Sequence, residues 1–208
     1  MIRSLTATGA ALAVVALVAP AHAETAAPDL REAAFTTCAQ AEAMPAEERT
    51  ALVLRIANAA AEYYQTQIAA DEESGRQIGW LIRSACTIAP EGYLAPIVAR
   101  AVHVIGGGEE PPLRQPLDMR QGVFLSCSDT TTLPPEEIKQ LGTFIGNEAA
   151  AHYGLTPGPD WTPDYVAALV HNGCQMYPDM HYLSIVGRAI RAVSGQTGTA
   201  REPVGRAR

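Results

Sequence analysis

Lysine is almost missing from this chain of 208 residues: Lys139 stands alone, and the other basic residues are arginines. Basic side chains are also outnumbered by acidic ones, 15 to 22. Nucleic acid and anionic membrane surfaces are held by clustered positive charge, so neither is an expected partner. The only basic cluster, Arg201, Arg206 and Arg208, sits among glycine and proline and reads as part of a flexible tail, 196–208. The apolar run Ala10 to Ala19 falls far short of the roughly 20 residues that a membrane-spanning helix needs. No other stretch is long and uncharged enough, so membrane insertion is not expected. No stretch alternates apolar and polar residues for any length, which argues against β-sheet. Neither Gly-x-Ser-x-Gly nor His-Glu-x-x-His occurs, and no catalytic group, cofactor or metal is expected.

What the chain does contain, it contains twice. Phe35-Thr-Thr-Cys38 returns as Phe124-Leu-Ser-Cys127, 89 positions later. At the same offset Pro45, Glu47, Glu48, Leu52, Ile56 and Tyr64 recur as Pro134, Glu136, Glu137, Leu141, Ile145 and Tyr153. One residue is then lost and the offset becomes 88: Cys86, Pro90, Ile97, Val98 and Arg100 return as Cys174, Pro178, Ile185, Val186 and Arg188. The repeats cover 33–106 and 119–195, joined by a linker at 107–118. Gly106-Gly107-Gly108 opens that linker. Without a preceding strand or a following Lys-Ser/Thr it is read as a connection and not as a phosphate loop.

Residues 1–23 have the form of a secretory signal. Arg3 supplies the positive end, and Ala21-His-Ala23 supplies a small-x-small cleavage site, with cleavage expected after Ala23. No cysteine stands at that point for a lipid anchor. The expected location is the periplasm. An oxidising compartment turns four cysteines into two disulfides. Of the three connectivities open to them, the repeat selects Cys38–Cys86 and Cys127–Cys174, because each unit must close its own bridge.

Both repeats read as all-α, each with four helices. A short helix should carry Cys38. A long one should open at Met44-Pro45 with Glu47 and Glu48 at its positive start, and carry the stripe Leu52, Ile56, Ala60, Tyr63. A third presents Ile78, Leu81 and Ile82 before Cys86. The fourth is expected to start at Pro90 and to present Leu94, Ile97, Val98, Ala101, Val102 and Ile105. In the second repeat, Thr162-Pro163 marks the start of the third helix, with Thr162 as cap.

Several residues tempt as chemistry. His152, His171, Cys174 and His181 include a metal-like His-x-x-Cys spacing, but their first-repeat counterparts are Tyr63, Arg83, Cys86 and Tyr93. Only the cysteine matches, and a bridge explains it. Glu47-Glu48 and Glu136-Glu137 point about 100 degrees apart on a helix and do not form a facing acid pair. Trp80, Tyr63, Tyr64, Trp161, Tyr177 and Tyr182 are the candidate client or partner surface. Trp80 leads because its counterpart is Ala168, so the shared core does not require it.

One repeat resembles the HdeA/HdeB family of periplasmic acid-stress chaperones. The likeness rests on the aromatic and cysteine at the opening, Phe35 to Cys38 and Phe124 to Cys127, and on Cys86 with Pro90 and Cys174 with Pro178 late in each unit. Family members are single domains that pair into homodimers. The resemblance therefore implies two tandem disulfide-stapled four-helix HdeA-like units forming a pseudo-dimer within the chain, open to further homodimerisation. It also implies binding of unfolded clients at low pH through exposed apolar helix faces. Without the signal, 14 basic residues face 22 acidic ones, a balance of −8; protonating every acid and four histidines takes it to about +18. Two other readings fit an exported helical protein with paired cysteines. One is an immunity or inhibitor protein that binds a single toxin partner; the other is a structural envelope protein.

Overall fold

The computed structural model describes residues 30–67, 72–108, 111–155 and 162–193, and these form ten helices. The first repeat holds α1 (Leu30–Ala34), α2 (Cys38–Glu42), α3 (Ala46–Tyr63), α4 (Glu72–Ile88) and α5 (Leu94–Gly106). The second holds α6 (Met119–Phe124), α7 (Cys127–Thr130), α8 (Pro135–Tyr153), α9 (Pro163–Met176) and α10 (Tyr182–Val193). The expected leader 1–23, Trp161 and the tail 196–208 lie outside the described residues.

Local chemistry explains the helix starts. Thr37 closes a capping box with Gln40 at the head of α2, and Ser126 does the same with Asp129 at the head of α7. Pro45 and Pro134 stand at the N-caps of the long helices, with Glu47, Glu48, Glu136 and Glu137 in their first turns, where the helix dipole favours acid. Thr162 caps α9 by accepting from the Tyr165 amide, and Pro163 takes the first helical position.

Two expectations need correction. Each repeat opens with two short helices, not one, because Thr37 and Ser126 take extended backbone. Nor does Pro90 start a helix; α5 begins at Leu94. The intervening backbone is engaged elsewhere: Cys38 N–H donates to Gly92 O at 2.9 Å, Ala39 N–H to Pro90 O at 2.9 Å, and Leu94 N–H to Thr36 O at 2.8 Å. The second repeat makes the same three bonds, from Cys127 to Met180, Ser128 to Pro178 and Tyr182 to Leu125.

The disulfides are Cys38–Cys86 and Cys127–Cys174, the pairing that the repeat requires. They join α2 to α4 and α7 to α9. A loop of that length restricts the unfolded chain by about 4 kcal/mol per bridge. The buried side chains form one continuous cluster through both repeats, with Ile56, Val98 and Val102 on one side and Leu141, Ile145 and Ile190 on the other. The linker joins it too. Leu113 and Leu117 pack against this core, and the Gln121 amide bonds both the N–H and the carbonyl of Arg114. At Gly108 a Cβ would lie 2.3 Å from the Tyr64 carbonyl oxygen, so the close approach of the chain there requires glycine. Among the described residues no helix is long and apolar enough to cross a membrane.

Candidate functional site

The two opening phenylalanines define a seam between the repeats. Phe35 is buried 4.9 Å from the His152 ring and 6.1 Å from the Tyr153 ring, at the end of α8. Phe124 is buried 5.3 Å from Tyr63 and 6.2 Å from Tyr64, at the end of α3. Residues 35, 63 and 64 correspond to 124, 152 and 153 in the repeat. Each phenylalanine therefore inserts against the end of the other repeat's long helix, in a reciprocal exchange of the kind that two-fold symmetry produces.

The exchange is reciprocal in position but not in chemistry. At one end Tyr153 and Tyr93 share a hydroxyl–hydroxyl bond of 2.6 Å, and the Arg191 guanidinium lies 5.2 Å from the Tyr93 ring centre. A Cβ at Gly187 would come within 2.5 Å of the Tyr93 hydroxyl, so glycine makes the space that the phenol fills. Burial, followed by Tyr153, raises the Tyr93 pKa well above the usual tyrosine range, and burial raises Tyr153 as well. Both stay neutral at any acid pH.

At the other end the equivalents of Tyr93, Gly187 and Arg191 are His181, Ala99 and His103. Tyr64 donates to the Phe124 carbonyl at 2.8 Å, and the His103 ring sits 4.5 Å from it. His103 Nδ1 is buried without a hydrogen-bond partner. His181 is buried, and that burial, reinforced by Arg100 and His103 and opposed by Asp129, pushes its pKa down to about 4. Burial also lowers His152, against the pull of Glu32. One end of the seam thus joins two tyrosines that acid leaves neutral to a titrating His152, while the other must take up charge on the buried His181.

The expected surface aromatics divide. Trp80 is 61 % exposed and Tyr177 52 %. Tyr63, Tyr64 and Tyr182 are buried and offer no surface, which corrects that expectation. The first two belong to the seam. Tyr182 replaces Leu94 of the first repeat and fits because Gly142 stands where that repeat has Val53; its hydroxyl donates to the Ile138 carbonyl at 3.1 Å. Cys174 is held in its bridge, while His171 is exposed and bonds Gln175, so the His-x-x-Cys spacing brings no ligand pair together. Ile88 and Val104 add exposed apolar surface on α4 and α5. The seam histidines were readable only as places where the repeats differ, His181 against Tyr93 and Arg191 against His103.

No known protein family, no curated protein and no solved structure matches the chain.

Proposed function

We propose that this chain is an exported, acid-responsive chaperone of the HdeA/HdeB kind, built as two helical units, α1–α5 and α6–α10, that close on each other as a pseudo-dimer. The seam is the observation that supports this reading. Phe35 and Phe124 bury apolar surface between the repeats, and ionisable groups lie among them. In acid, positive charge accumulates on the whole chain and at the histidine end. The seam loosens while each bridge keeps its own repeat compact. The freed faces then hold unfolding clients in solution. No reaction is part of this function.

The test is suppression of client aggregation at pH 2–3 and at pH 7, with binding of a hydrophobic dye followed across the same range. Suppression confined to acid and accompanied by dye binding supports the proposal. Absence of dye binding down to pH 2 sinks it.

One observation favours a second reading. Trp80 and Ile88, the latter 85 % exposed, are already at the surface of the closed form. A protein that binds one partner at neutral pH would use such exposed apolar side chains. Stoichiometric capture of a single periplasmic protein at pH 7, lost in Trp80→Ala, would select that reading over the chaperone.

A further inference from the structure

At the histidine end of the seam a groove of 360 Å³ opens between α4 and α5 of the first repeat and the turn leading into α10 of the second. Its walls include Leu81, Ala85, Ile97 and Val104, and its polar side chains include Arg100 and His181. Its size falls within the range of about 300–1,000 Å³ typical of ligand sites, as does its character: an apolar cleft with a few convergent polar groups. The position that Tyr93 fills with a phenol at the opposite end is held here by the shorter ring of His181.

We propose that this groove binds a medium-chain fatty carboxylate, the alkyl tail lying along Leu81, Ala85, Ile97 and Val104 and the carboxylate pairing with Arg100. Charge complementarity selects the head group. Arg100 makes no ion pair among the described residues, and it lies close enough to His181 to oppose that ring's protonation. His181 itself is held neutral at pH 7, so Arg100 supplies the positive charge. The walls select the tail. A peptide laid along them would bury backbone amides against Leu81, Ala85 and Ile97 with no partners, a cost that a plain alkyl chain does not carry. Asp179 is exposed on the lining and carries the opposite sign, which sets a preference for a single carboxylate over a dianion.

The assignment concerns the closed protein at pH 7 and does not depend on chaperone activity. Calorimetric titration of the purified chain with decanoate, and in parallel with decanol, tests it. The expected result is one decanoate per chain. Arg100→Gln should weaken decanoate at least tenfold and leave decanol unchanged, and Arg188→Gln, at the equivalent position of the other repeat, should change neither. His181→Tyr copies the filled end and should abolish both. Ala85→Phe fills the groove from α4 and serves if His181→Tyr does not fold, with helicity by circular dichroism as the check. Equal decanoate affinity in Arg100→Gln, an equal loss in Arg188→Gln, or undiminished binding in a folded groove-filling variant would overturn the proposal. So would a short apolar peptide with a free C-terminal carboxylate that displaces decanoate at lower concentration.

Discussion

Replacing His181 with glutamine removes a titration that the fold opposes, and its effect on stability has a definite sign and window. The imidazole is buried beside Arg100 and His103, with Asp129 opposing their effect, and its pKa falls from the ordinary 6.5 to about 4. Above pH 6.5 neither the folded nor the unfolded chain binds this proton. As the pH falls from there toward 4, the unfolded chain is protonated and the folded one is not, so stability is lost across that interval. Below 4 both states hold the proton and the loss is complete. At 1.36 kcal/mol per pKa unit the drop amounts to about 3 kcal/mol, roughly a hundredfold in the unfolding equilibrium. Urea unfolding followed by circular dichroism at pH 7, 5.5 and 4 measures it. Wild type should lose about 3 kcal/mol more than His181→Gln over that range, with a smaller contribution of the same sign remaining from His152. Parallel losses in the two proteins would refute the reasoning, since the buried imidazole would then carry no linkage.

Three further outcomes follow from the packing. Cys127→Ser with Cys174→Ser should destabilise the second repeat by about 4 kcal/mol, read as a lower urea midpoint than in the untreated wild type. Gly187→Ala should cost about 1–3 kcal/mol, because its Cβ meets the Tyr93 hydroxyl at 2.5 Å. Adding Tyr93→His recreates the Ala99–His181 pairing and should recover most of that loss; a double mutant whose losses simply add would contradict the correspondence of the two ends. Tyr64→Phe removes the buried bond to the Phe124 carbonyl and should cost about 1 kcal/mol in thermal or urea melts. No measurable change would mean that water replaces the bond.

The repeat makes much of this architecture legible in the sequence. Matching cysteines set the bridges. Pro45, Pro134 and Thr162 placed the starts of three helices, because proline and a short hydroxyl side chain act within one turn. What escaped was decided over longer distances. Pro90 looked like a helix start, yet its carbonyl is taken by Ala39, some fifty positions earlier in the chain. Tyr182 looked like surface, and only the loss of a side chain at Gly142 shows where it goes. The seam escaped for the same reason. The apolar stripe places Tyr63 on α3, with Tyr64 following, but cannot tell that Phe124 meets them there.

The unlike ends of the seam, Tyr93 with Arg191 at one and His181 with His103 at the other, carry a consequence for design as well as function. In a dimer of identical chains, every substitution appears at both ends, so a buried histidine is inflicted twice. Two copies joined in one polypeptide escape that rule. One end can be tuned as a permanent hinge while the other is tuned as a latch, each by single substitutions that leave its opposite untouched.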